Sequence, residues 1–325
     1  MIDPLESFGL RTARRRHELS IPGSPECCVS RSVLEDTSGR LWLVERLAAR
    51  QTSRREAVAA VLHALQDRFP AQGRALLPAF RRSSQGGYSA EIAGMRWQLS
   101  PYVLSDELPR PGYLDDATRG ASLAGFMLAL QNASRDLPSS LLDDLESAQR
   151  DLPELSAYAA DLLAATRLRS PGTHAALERI FPRLDAVLSH CRSLPARLQH
   201  GDLHPLNVLW RGQEAVAVID WEFLGVKPEC HDLANLLGCL GFEHPDGLTG
   251  PLALRLTATL RNAAYIAPDS WELLPEYTAL LRLAWLSEWL RKKEHDLVDM
   301  ELEYVELLLD RAEGLRRAWT GKGLE

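Results

Sequence analysis

The chain has 325 residues, 46% hydrophobic and 25% charged, and 44 acidic against 37 basic side chains give a formal net charge of −7. These figures exclude a disordered, collagen-like or disulfide-stapled protein and argue against non-specific binding to nucleic acid. No apolar run approaches the ~20 residues that cross a bilayer, and the start MIDPLESFGL has early acids and no long apolar core, so neither a membrane span nor a secretory signal is expected.

Five cysteines (Cys27, Cys28, Cys191, Cys230, Cys239) are odd in number and lack CxxC spacing, which predicts reduced thiols in a cytoplasmic protein. Short basic clusters at Arg14–Arg16 and Arg291–Lys293 read as solvated faces. Only four of the basic residues are lysine (Lys227, Lys292, Lys293, Lys322), so no chemistry in the first 226 residues can use one.

In chain order, CVSRSVLED and LWLVERL flank the turn DTSGR and predict a hairpin. SRREAVAAVLHALQDRF has Ala57, Ala60, Val61, Ala64 and Leu65 at helical spacing, with Ser53 as N-cap and Glu56 three residues on. GYSAEI and RWQLSPYV around AGM predict a second hairpin. After Pro109 the texture turns helical, with a long helix pattern over 115–137, helices near 153–167 and 173–190, and again through 230–317. A boundary near 100–110 divides a β-rich unit, 1–103, from a larger helical unit, 104–325, which is a bilobal α+β arrangement.

The helical part is interrupted by LQHGDLHPLNVLWRGQEAVAVIDWE. Asn207 begins one apolar strand and Asp220 closes its hairpin partner, so the two side chains meet at one end. An amide oxygen and a carboxylate form a hard-oxygen site suited to Mg²⁺, which keeps waters and takes further ligands from phosphates. Asp202, five residues before Asn207, is within reach of a hydroxyl held beside that metal.

His200, Asp202 and Asn207 in the pattern H-x-D-x-x-x-x-N, with Asp220 of IDWE 13 residues on, resemble the family of aminoglycoside phosphotransferases and choline kinases, which has the protein-kinase-like fold. The later CHDLANLL resembles that family's helix start. The resemblance implies ATP and Mg²⁺ as cofactors, a small-molecule hydroxyl as acceptor, Asp202 as the catalytic residue, and Asn207 and Asp220 as metal ligands. It implies that Asp232 caps a helix or braces the loop and that His200 orients the loop by hydrogen bonding. The roles of His204, Trp221 and Glu222 stay open between pocket and packing. By the same resemblance, backbone at Ser100 and Tyr102 would meet the adenine edge.

The resemblance fails at one position. Where the family's hairpin ends on a phosphate-gripping lysine, LWLVERL offers Glu45 and then Arg46. Two like unit charges 4 Å apart repel by roughly 4 kcal/mol at an effective dielectric near 20, so a carboxylate there opposes a triphosphate. Either the strand slips by one residue, so that Arg46 faces the cleft and pairs with Glu56, or another arginine supplies the charge, or the protein is a catalytically inactive binding module. A protein Ser/Thr kinase of the bacterial stress-response type is a further alternative. On the acceptor side, Trp285, Glu288 and Trp289 lie on one stretch of helix and suggest either an aromatic, acidic wall for a cationic substrate or plain core.

Overall fold

Asp36 closes the first hairpin. Its Oδ1 accepts the Ser38 and Arg40 amides at 2.8 and 3.1 Å, and its Oδ2 accepts Trp42 Nε1–H at 2.8 Å. This is the local chemistry that the DTSGR turn calls for. The computed structural model describes residues 3–23, 28–149 and 154–322. Strands β1 (Thr12–Arg15), β2 (Cys28–Asp36) and β3 (Leu41–Leu47) are followed by helix α1 (Thr52–Gln66), then by β4 (Ser89–Ile92) and β5 (Met95–Pro101). The five strands form one antiparallel sheet in the order β1-β2-β3-β5-β4.

The two faces of this sheet differ. Leu34, Trp42, Val44, Ala90 and Leu99 join Leu5 and Phe8 in a small core on one side. The opposite face carries α1, whose Val58, Val61, Leu62 and Leu65 run into the main hydrophobic core of the helical part. One apolar cluster therefore continues from α1 across residues 100–110, and only the sheet's outer face has a core of its own. The cap expected for this helix differs: α1 starts at Thr52, so Ser53 lies inside the helix and no side chain caps it, while Glu56 is engaged by the sheet.

The remaining elements are α2 (Ala117–Ser134), α3 (Ser139–Ser147), α4 (Leu155–Arg169), α5 (Pro171–His190), β6 (Ala196–Gln199), β7 (Val208–Arg211), β8 (Glu214–Val218), β9 (Gly225–Pro228), α6 (His231–Glu243), α7 (Pro251–Asn262), α8 (Pro268–Glu272), α9 (Leu274–Lys292), α10 (His295–Asp310) and α11 (Ala312–Thr320). Asp116 caps α2 by accepting the Thr118 and Arg119 amides. Gly120 lets α2 and α7 close together, since a Cβ there would lie 2.3 Å from Leu252 O. Two small ladders, β6 with β9 and β7 with β8, emerge from this helical mass and carry the polar loop of the sequence. The architecture is bilobal α+β. No helix among the described residues is long and apolar enough to cross a membrane.

Candidate active site

The polar loop hangs between β6 and β7 and is fixed from below by α6. Asp232, in the first turn of α6, accepts the His200 and Gly201 amides at 2.7 and 2.8 Å. Burial pushes this carboxyl up to about 6, against the two amides that hold it down. His200 accepts the Asp202 amide on Nδ1 at 3.2 Å, so Nε2 carries the proton and donates to Ile219 O at 2.9 Å. Burial pushes the imidazole down to about 4, so it is neutral at pH 7 and orients the loop. Gly201 is obligatory here: its φ is +88°, and a Cβ would lie 2.0 Å from Phe223 O.

This scaffold presents Asp202. Asn207 Nδ2 donates to the Asp202 carbonyl at 2.9 Å and to Oδ2 at 3.2 Å, while Asn235 Nδ2 donates to Oδ1 at 3.3 Å. His204 Nε2 lies 3.6 Å from Oδ2. The Asp202 side chain is 25% exposed, and among the described residues no arginine or lysine pairs with it. It is a held carboxylate, open on one side to an incoming hydroxyl.

Asn207 and Asp220 are brought to the same end of the β7–β8 hairpin, as their spacing requires. The Ile219 amide donates to Asn207 O at 2.9 Å, and Val208 faces Val218 across the ladder. Asp220 takes the left-handed conformation, φ 65° and ψ 51°, which an aspartate tolerates better than a β-branched residue. Because Asn207 Nδ2 faces Asp202, the amide's Oδ1 is the atom directed elsewhere. With a carboxylate as its companion, the donor set fits a hard divalent cation. Trp221 packs: it is 3% exposed, its ring sits tilted against His200 at 4.5 Å between centroids, and it donates Nε1–H to Val218 O at 2.7 Å.

The β-sheet corrects two expected contacts. Arg31, Glu45, Gln98 and Ser89 stand directly opposite one another on β2, β3, β5 and β4, so all four point to one face. That face looks toward α1. Arg55 of α1 donates to Gln98 Oε1 at 2.9 Å and forms a buried ion pair with Glu45. Glu56 accepts the Tyr88 amide at 2.8 Å and the Ser89 hydroxyl. Arg46 points the other way, beside Trp97 on the opposed face, and its Nη1 meets Met95 Sδ at 3.3 Å. The strand has not slipped, and Arg46 and Glu56 do not pair, because Trp42 and Val44 commit the even-numbered positions to the outer core.

At the connection between the lobes, Ser100 is in register with Leu43 and buried. The Tyr102 amide, expected to face a nucleobase, donates instead to Leu41 O at 2.9 Å, extending the sheet, and the Tyr102 hydroxyl donates to Ser20 O at 2.6 Å. Of the loop PGSPECCVSRS, Ser24 to Cys27 lie outside the described residues.

On the acceptor side, Trp285 stands edge-on to His204 at 5.9 Å and stacks on Trp289 at 5.8 Å, which brings an aromatic surface next to Asp202. Glu288 is not a free acid. Arg291 and Lys292 pair with it and hold its carboxyl down to about 2. Sequence reasoning missed Asn235, whose signal was its place three residues after Asp232 on one helix face, and Arg55, whose partner depends on register.

Residues 30–265 match the family described as APH, phosphotransferase enzyme family, and the chain belongs to it. No protein of curated function matches by sequence. Among solved structures, the GDP and kanamycin complex of APH(2")-IIia superposes with a TM-score of 0.63 at 17% identity, covering 94% of this chain and 96% of that one. Amicoumacin kinase hAmiN, in complex with AMP-PNP, Ca²⁺ and Ami, gives 0.61 at 12% identity over 92% and 90%. A choline/ethanolamine kinase family protein from Mesorhizobium loti gives 0.55 at 17% identity over 93% and 92%. The fold is therefore the protein-kinase-like one expected from the HGDLHPLN and IDWE motifs, and the chain is a phosphotransferase by family.

Proposed function

We propose that the protein transfers the γ-phosphoryl group of ATP to a hydroxyl of a small molecule in the cytoplasm. The single observation that carries this reading is the Asp202 carboxylate, held by Asn207 and Asn235 and, among the described residues, left open on one side without an arginine or lysine partner. Asp202 orients the acceptor hydroxyl and takes its proton as the new O–P bond forms and the γ-phosphorus bond to the bridging oxygen breaks, releasing ADP. Asn207 and Asp220 would hold Mg²⁺, which when bound offsets charge on the phosphates. Residues 1–103 bind the nucleotide, and residues 104–325 carry catalysis and the acceptor. The nucleotide-bound and substrate-bound neighbours support this reading.

A second reading has an observation in its favour. The Glu45–Arg55 pair replaces a phosphate-gripping lysine, which suits a binding module without catalysis. Incubation with γ-labelled ATP and a panel of small hydroxyl compounds separates the two. Label on a metabolite, lost in Asp202→Asn, supports the kinase. Label on protein substrates makes it a protein kinase. No transfer to any acceptor, with partner binding retained, supports the module.

A further inference from the structure

Arg31 of β2 and Arg55 of α1 both face the space between the sheet and that helix, and they are not equivalent. Arg55 is committed to Glu45 and Gln98, which closes that part of the face. Arg31 sits directly opposite Glu45 on the neighbouring strand, with its guanidinium free of any carboxylate among the described residues. Its Nη1 and Nη2 donate to the Pro22 and Gly23 carbonyls at 3.0 and 2.9 Å.

Gly23 locates this guanidinium relative to the catalytic hairpin. A Cβ built on Gly23 would lie 3.4 Å from Asp220 Oδ2 and 3.7 Å from Arg31 Nη1. Arg31 and Asp220 thus flank one small residue, the arginine from the sheet above and the carboxylate from the hairpin below. A guanidinium has five N–H donors, and two here go to backbone carbonyls, so others remain for an oxyanion between the two groups. Arg46 is on the wrong face for this, and the lobe contains no lysine.

We infer that Arg31 of β2 is the residue that grips the nucleotide phosphates, and that Glu45–Arg55 is a charge-reversed brace between sheet and helix that does not touch them. The inference rests on the nucleotide reading given above. Arginine binds phosphate oxygens in a planar fork, so the exchange of a lysine on β3 for an arginine on β2 changes the strand of origin as well as the geometry.

The test is titration of the full-length protein with Mg²⁺-ADP and with adenosine, by calorimetry, for wild type, Arg31→Gln, Arg31→Lys and Arg46→Gln, with melting curves to establish folding. Wild type should bind Mg²⁺-ADP more tightly than adenosine. Arg31→Gln should weaken Mg²⁺-ADP about tenfold or more while adenosine binding holds, as expected for loss of a charge-assisted contact. Arg31→Lys should recover part of the loss, and Arg46→Gln should match wild type. Retention of the full preference for ADP in a folded Arg31→Gln overturns the assignment of Arg31 alone. Wild type that binds neither ligand overturns the nucleotide reading and this assignment with it.

Discussion

Asp232 reaches from the start of α6 to accept the His200 amide at 2.7 Å, across 32 residues of chain, and takes the Gly201 amide on its other oxygen. One buried carboxylate thereby sets the backbone on which Asp202 stands. Asp232→Asn keeps the shape but has one acceptor oxygen where two are needed, and its amino group would face an N–H. The unsatisfied donor should cost about 1–3 kcal/mol. Urea denaturation should show a lowered midpoint, together with reduced phosphoryl transfer. An unchanged midpoint would remove Asp232 from its bracing role.

The loop from His200 to Asp220 was legible because its chemistry is tied to residue type and spacing: a two-stranded turn brings Asn207 to Asp220, and the H-x-D order puts the imidazole behind the carboxylate. The sheet face was not. In LWLVERL, Leu41, Trp42, Leu43 and Val44 are all apolar, so alternation does not say which side Glu45 takes. The answer came from Leu5 and Phe8, distant in sequence, which build the outer core around Trp42 and Val44. Arg55 and Glu56 are likewise adjacent on α1, and only the register against β4 and β5 decides that the arginine meets Glu45 and the glutamate meets Ser89. The acid at Glu288 looked available from sequence because Arg291 and Lys292, one turn on, looked solvated.

The buried histidines predict acid lability. His200 and His231 are held neutral, pushed by burial down to about 4 and about 3 from an ordinary value near 6.5. The unfolded chain binds these protons first, so their contribution is fully present above pH 6.5 and is lost as pH falls toward 4. Asp232 acts with the opposite sign: raised to about 6, it is protonated first in the folded state and favours folding at lower pH. Two histidines outweigh one carboxyl. The melting temperature should fall between pH 6.5 and 4, and His231→Asn should flatten that slope. A midpoint that holds or rises over this interval contradicts the neutral assignment.

Arg282 and Glu301 form a doubly hydrogen-bonded ion pair, with both Arg282 Nε and Nη2 at 2.6 Å from the carboxylate. The guanidinium also lies 5.4 Å from the Trp285 ring centroid, beneath the aromatic surface beside His204. Their side chains are 3% and 0% exposed, so Glu301→Gln strands a buried cation. Breaking such a pair from one side costs about 3–5 kcal/mol. The expected result is a large loss in denaturation midpoint and a higher KM for the acceptor as Trp285 loses its support. Stability within about 0.5 kcal/mol of wild type, the usual range for surface changes, would show the pair to be dispensable.

The charge-reversed pair gives the sharpest prediction. Restoring a lysine with Glu45→Lys alone should not improve the protein, because the new ammonium would point at Arg55, whose partner it has removed. Glu45 and Arg55 are 8% and 9% exposed, so each single change, Glu45→Lys or Arg55→Glu, should destabilise by about 3 kcal/mol or more. Gln98 sharpens the asymmetry: its Oε1 now accepts from Arg55 Nε, and an introduced glutamate at 55 would face that oxygen instead. The double variant Glu45→Lys/Arg55→Glu regains opposite charges and should recover most of the stability, giving a coupling energy of at least about 1 kcal/mol in a double-mutant cycle measured by denaturation. Additive single effects in that cycle would mean that the two side chains do not depend on each other. If the double variant folds and also binds Mg²⁺-ADP more tightly than wild type, then the lysine position retains access to the phosphates, and Arg31 shares the role instead of holding it alone.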